Sequence, residues 1–212
     1  MKKNWFLLLA FVCFSNLSYA QEKENKTSRL QFGVKAGVNY SNVYDAKAEA
    51  FVADAKYGVM AGAFITIPLG KYWGLQPELL YSQRGYKATG MLLGNAYSFT
   101  RTSSFIDVPI LLAIKPSPFV SILIGPQYSF LSHQKDVFVL SEHSAAQEAQ
   151  FNNDNIRKNI LCITGGLDVQ ISRVNIGLRA GWDMQKNNGD GASTSPQYKN
   201  VWYQASIGFR IL

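Results

Sequence analysis

The sequence predicts an all-β fold: an eight-stranded antiparallel up-and-down transmembrane β-barrel with short periplasmic turns and long extracellular loops. Three observations predict it. Apolar and small or polar residues alternate along most of the chain. The first twenty residues read as a secretory signal. The connections between alternating segments are tight and long in turn. Side chains of a strand point to opposite faces, so each segment has one greasy and one polar face, as a wall between lipid and a polar lumen requires.

The last segment shows the pattern best. Val201, Tyr203, Ala205, Ile207, Phe209 and Ile211 form one series, and Trp202, Gln204, Ser206, Gly208 and Arg210 the other. The first segment sets Phe32, Val34, Ala36, Val38 and Tyr40 outward against Gly33, Lys35, Gly37 and Asn39. The second sets Tyr57, Val59, Ala61, Ala63, Ile65 and Ile67 against Gly58, Met60, Gly62, Phe64 and Thr66. The third carries Trp73, Leu75, Leu79 and Tyr81 outward and Gln76, Glu78, Ser82 and Arg84 inward. The fourth sets Ile106, Val108, Ile110, Leu112 and Ile114 against Asp107, Leu111, Ala113 and Lys115. The fifth sets Ile122, Ile124, Tyr128 and Phe130 against Ser121, Gly125, Gln127 and Ser129. The sixth alternates Leu161, Ile163, Leu167, Val169 and Ile171 with Cys162, Thr164, Gly166, Asp168 and Gln170. The seventh alternates Val174, Ile176, Leu178, Ala180 and Trp182 with Asn175, Gly177, Arg179, Gly181 and Asp183.

Each segment is long enough for the ~9–11 residues of a tilted membrane strand. Tight connections are expected at Pro68–Tyr72, Pro116–Pro118 and Ser172–Arg173, and long ones at Ser41–Lys56, Tyr86–Tyr97, Ser132–Lys158 and Lys186–Lys199. Within the third long loop, residues 141–151 (SEHSAAQEAQF) could form a short helix capped by Ser141. Tyr40, Tyr57, Tyr72, Trp73, Tyr81, Tyr128, Trp182, Trp202 and Tyr203 fall near segment ends, where amphipathic rings suit the membrane–water boundary; they are the expected aromatic girdle.

Composition agrees. The charged share is 17%, below the roughly 25% of soluble domains. In the signal, Lys2 and Lys3 precede an apolar run from Trp5 to Phe14, and Ser18-Tyr19-Ala20 offers a cleavage site before Gln21. The apolar run is too short for the ~20 residues of a membrane helix. The expected division is therefore a cleaved signal over 1–20, a flexible periplasmic lead-in over 21–29 and the barrel over 30–212. Removing the signal leaves Cys162 as the sole cysteine, a small packing residue in a strand. The net charge of +7 has no basic cluster interleaved with aromatics on one face, so nucleic acid is not an expected partner; outer-membrane lipids are.

The segments GVKAGVNYSNV, GLQPELLYSQRGY, FIDVPILLAIKP and GPQYSFL resemble the PorT-like outer-membrane β-barrel family of Bacteroidetes. The resemblance runs from about Phe32 to the C-terminus, and the Pro77-Glu78 block with Gly85 carries most of it. It implies an eight-stranded barrel in a Gram-negative outer membrane. The family takes its name from a member needed for type IX secretion of surface proteins. The chain ends Phe209-Arg210-Ile211-Leu212 rather than in the aromatic residue usual for outer-membrane assembly.

The interior of an eight-stranded barrel is just wide enough for its own side chains. Inward positions carry Glu78, Asp107, Asp168 and Asp183, and against them Lys35, Arg84, Lys115, Arg179 and Arg210. Buried charge is costly unless paired. A lumenal charge network is expected, with Glu78 and either Arg179 or Arg210 among its partners, acting as a polar plug rather than an ion path or proton relay. His133 and His143, near Ser129, Ser132 and Ser141, are the only histidines; without a G-x-S-x-G elbow they read as solvated loop residues, not catalysts. Residues 187–191 (NNGDG) faintly resemble a calcium loop but lack its terminal bidentate Glu. No catalytic residue, cofactor or metal is assigned. The reading is a non-enzymatic barrel with a structural or interaction role, binding through its extracellular loops. The alternatives are an accessory factor in type IX-like export, with envelope or secretion proteins as partners, an outer-membrane lipid-modifying enzyme, and a soluble lipocalin-like barrel, which would need an apolar interior.

Overall fold

The computed structural model describes residues 30–44, 52–92, 95–140, 143–145, 156–189 and 198–211. The expected signal and lead-in lie outside these residues. Among the described residues nine strands form: β1 (Gln31–Tyr44), β2 (Val52–Pro68), β3 (Trp73–Leu92), β4 (Asn95–Ser117), β5 (Val120–Leu140), β6 (His143–Ala145), β7 (Asn159–Ile171), β8 (Val174–Asp183) and β9 (Lys199–Arg210). Eight of them close a ring, β4-β3-β2-β1-β9-β8-β7-β5, sealed by the β4–β5 pairing; β6 adds only to the far end of β5. Every pairing is antiparallel.

Closure decides the inside–outside assignment. A closed ring has no edge, so all backbone polar groups of the wall pair within it. The outward series is exposed: Val34, Leu79, Ile110, Leu167, Leu178 and Ile207 are large, apolar and uncovered. The inward series is buried and mostly polar, with Lys35, Asn39, Glu78, Ser82, Arg84, Asp107, Thr164 and Arg179 among it. This inverts a soluble protein and matches a barrel solvated by lipid. A lipocalin-like reading, with an apolar interior, does not fit.

The tight turns share one end. Residues 69–72, 118–119 and 172–173 connect the strands there, and Ser172 takes a left-handed φ of 55° in the two-residue hairpin. Short turns mark the periplasmic end. At the other end the strands run longer than the sequence suggests. The expected loop Tyr86–Tyr97 is almost entirely strand, since β3 continues to Leu92 and β4 resumes at Asn95. Its pattern differs from that of the lipid-crossing segments because water covers its outer face: Lys87 and Thr89 are exposed, while Tyr86 and Ala88 turn into a small buried core. Likewise the Ser41–Lys56 and Ser132–Lys158 loops lose residues to β1, β2 and β5. Residues 143–145 of the expected 141–151 helix form strand β6, paired with Phe138–Leu140; residues 141–142 and 146–151 lie outside the described residues.

Candidate functional site: a plugged lumen beneath a β platform

Two charge clusters fill the lumen. The lower one centres on Glu78 of β3. Lys35 of β1 donates to Glu78 Oε1 at 2.7 Å, Arg179 of β8 donates to both carboxylate oxygens at 2.7 and 2.9 Å, and Gln76 adds a bond at 2.8 Å. Arg179 also reaches Asp168 at 3.3 Å, whose Oδ2 accepts from Asn175 at 3.2 Å. Two cations and two carboxylates make this quartet neutral. In the ring, β3 and β8 are separated by β2, β1 and β9, so the Glu78–Arg179 bond crosses the lumen. A bidentate guanidinium–carboxylate pair is directional as well as strong, so it fixes the two walls' heights relative to each other.

The upper cluster centres on Arg84, which is paired with Asp107. Its guanidinium lies 3.6 Å from the Trp202 ring centroid and 4.8 Å from that of Phe105. Trp202 is 2% exposed. It is therefore a lumenal stacking platform and not a girdle residue, contrary to the sequence expectation. Its position on the inward series of β9 dictates this, and Gly181 on β8 leaves the space its ring fills. Asp183 makes no ion pair among the described residues. Its carboxylate accepts from the Asn200 backbone N–H at 2.9 Å and side chain at 2.5 Å, and Cys162 Sγ lies 3.3 Å away. Cys162 is buried beside Ser129, a packing position.

Arg210 departs from the expected network. Its side chain is half-buried at the periplasmic rim and donates to the Ser172 carbonyl at 3.2 Å; of the two arginines, Arg179 is the one that joins Lys35 and Gln76 on the Glu78 carboxylate. The other expected girdle residues are exposed on the outer face: Tyr40, Tyr57, Tyr81, Tyr128, Trp182 and Tyr203 towards the long-loop end, and Trp73 near the tight turns. Tyr40 and Tyr57 pack with ring centroids 5.0 Å apart.

Above the Tyr81 level, β3, β4 and β5 project onward as a sheet. Eleven further residues of β3 span ~37 Å along the strand at ~3.4 Å each. Sequence reasoning did not find this element. Tyr86, Ala88 and Tyr198 are buried against each other, with Val43, Ala53 and Phe99 packed around them. Arg101 holds Asp136 by two bonds of 2.6 and 2.8 Å and donates to Tyr198 Oη at 2.7 Å. Burial raises the Tyr86 hydroxyl pKa well above its ordinary value. The base of the projection is thus a packed platform, its small core shared with β1 and β2.

The serines and histidines do not assemble a catalytic group among the described residues. Ser129 is buried in the lumen beside Gln127 and Arg84, whereas His133 is exposed beyond the β-bulge that follows Leu131. The side chain of His143 and the structure of Ser141 lie outside the described residues, as do Asp190 and Gly191 of the calcium-like segment. Asn187 and Asn188 are buried, and the Asn187 carbonyl accepts from the Arg157 backbone N–H at 2.7 Å. No group of three or more metal-ligating side chains occurs among the described residues.

A closed eight-stranded ring with a lipid-type exterior and a charged, filled interior defines a small outer-membrane β-barrel protein. The chain belongs to the family described as outer membrane protein beta-barrel domain, whose sequence profile matches residues 19–187. Its fold is similar to that of Ail, the attachment invasion locus protein of Yersinia pestis, with 15% identity, 85% of this chain and 98% of that chain covered, and a TM-score of 0.48. It is similar to Neisserial surface protein A at 10% identity, 84% and 96% coverage and a TM-score of 0.48. The outer membrane enzyme PagL aligns at 9% identity, 82% and 98% coverage and a TM-score of 0.30. No curated protein matches the sequence.

Proposed function

We propose that this protein is a non-enzymatic outer-membrane barrel whose role is interaction through the extracellular β platform. One observation carries the reading: the interior is occupied by interlocked ion pairs, while β3, β4 and β5 rise far above the aromatic level as a sheet whose base packs against Val43, Ala53 and Tyr198. A lumen filled by crossing bonds is not built to pass solutes, and function on a rigid scaffold concentrates on what the scaffold presents. The blocks that resemble PorT-like barrels favour a place in that branch of the family, with residues 1–20 as the export signal. They also support a second reading, in which the platform's partner belongs to a surface-protein export machine.

The test uses the protein in its own membrane. Photo-crosslinkers at Thr89 and Ser98 on the platform, and at Lys71 and Phe119 on the periplasmic turns, would be activated in intact cells. Adducts from the platform positions support the reading, and secretion components among them support its export form. Adducts confined to the turns refute it. Planar-bilayer recordings should show no steady porin-like conductance; a stable open channel would contradict the plugged lumen.

A further inference from the structure

The periplasmic mouth of the barrel is a cavity of about 440 Å³, bordered by Lys71, Lys115, Arg210, Ser121, Gln31 and Asp168 among others. It lies at the end where the tight turns and the first and last described strand residues converge. Its roof is the lower lumenal cluster, because Gln76 and Asp168 belong to both. The cavity is therefore a blind vestibule, open to the periplasm and closed above.

Its charge does not balance. Among the described residues the one carboxylate on its wall is Asp168, whose Oδ2 is engaged by Arg179 and Asn175 within the neutral quartet while its Oδ1 has no hydrogen-bond partner. That leaves Lys71, Lys115 and Arg210 facing one concave space. No ion pair joins any of these three to a carboxylate among the described residues. Among the described residues the Arg210 side chain is tied to the Ser172 carbonyl, and the Lys71 ammonium rests over the Tyr72 ring, 5.2 Å from its centroid. Three like charges in a recess with low-dielectric walls repel one another and concentrate a positive potential there. A wall this short of space could have carried neutral polar residues at no such cost, as it does at Gln31, Ser121 and Gln170.

We propose that this vestibule is a binding site for a small oxyanion, a carboxylate or phosphate group presented from the periplasm. Lys115 and Arg210 hold the anion from β4 and β9, Lys71 closes over it from the β2–β3 turn, and Ser121 and Gln31 offer hydrogen bonds. The group comes either from a free periplasmic solute or from the carboxylate-bearing peptides of the cell wall. The site is independent of the platform reading, since it opens on the opposite side of the membrane.

The experiment is an NMR titration of the full barrel in nanodiscs at low salt, with succinate, inorganic phosphate and a soluble muropeptide as separate probes, and putrescine as the cationic control. Saturable shifts at the Gln31, Ser121 and Gln170 amides with an oxyanion probe, absent with putrescine, are expected. The Lys115→Gln/Arg210→Gln variant should weaken binding at least tenfold, and the exposed turn variant Lys71→Gln about threefold, with folding checked by gel mobility before and after heating. Tighter binding of the muropeptide than of succinate assigns the wall as source; equal or weaker binding assigns a free solute. Failure of all three oxyanions to shift these amides, binding of putrescine instead, or affinity unchanged in both variants would overturn the proposal.

Discussion

Replacing Glu78 by alanine should be the most damaging single change in the lumen. Glu78 is 4% exposed and receives Lys35, Arg179 and Gln76. Its removal strands Lys35 with no carboxylate partner among the described residues, while Arg179 keeps Asp168 at 3.3 Å. Breaking a buried pair by deleting one partner costs about 3–5 kcal/mol. One cation is stranded fully and the other partly, so about 4 kcal/mol is expected, near a thousandfold in the folding equilibrium. Charge, not volume, should dominate. The double variant Lys35→Met/Glu78→Gln leaves Arg179 against Asp168 one to one and should recover at least half of the loss. The assay is reversible urea unfolding in lipid vesicles, followed by tryptophan fluorescence. A Glu78→Ala barrel within about 0.5 kcal/mol of wild type, the range of an inconsequential surface change, would refute the argument that these crossing bonds hold the walls together.

Three further outcomes follow from the same geometry. Brominated lipid should quench Trp73 and Trp182 on the outer face but spare Trp202, read in single-tryptophan variants; efficient quenching of Trp202 would restore it to the girdle. Gly181→Ala places a methyl group into the Trp202 ring and should destabilise the barrel by about 1–3 kcal/mol, as overpacking does, whereas Ala180→Gly, on the lipid-facing side, should cost less. The platform should loosen in alkali. Burial keeps the folded Tyr86 hydroxyl protonated, while in the unfolded chain it ionises at about pH 10; its contribution is complete below that pH and falls as pH rises above it. Trypsin cleavage at Lys87 or Arg101 should accelerate above pH 10 in wild type, and less so in Tyr86→Phe.

The faces of the strands were legible because lipid and lumen impose opposite chemistries with a period of two. That reading held from Phe32 to Ile211 wherever a strand crosses between the aromatic levels. It weakened where the constraint ends. Residues 86–97 resemble a loop because water, not lipid, covers the outer face, where Lys87 and Thr89 replace the apolar series, although residues 86–92 and 95–97 are paired strand. Trp202 was misread for a different reason. Aromatic character near a strand end suggested an interface, but its parity placed it inward, and parity is the stronger physical constraint. The inward charges could be named from the alternation alone. Their partners could not: Glu78 and Arg179 are 101 residues apart and meet across the lumen, and such a contact depends on barrel shear and side-chain reach. The choice of Arg179 over Arg210 came from height along the axis, which a single strand's pattern does not carry.

The most direct test of the account is a spin-label accessibility scan of β9 in a reconstituted bilayer, one residue at a time from Val201 to Ile211. The odd-numbered positions should collide freely with oxygen dissolved in the lipid, and the even-numbered positions Trp202 to Gly208 should be shielded from oxygen and from aqueous nickel chelates alike, because they point into a filled interior. Oxygen access at the even positions, or water access all along the even series, would contradict a lipid-embedded barrel with a plugged lumen.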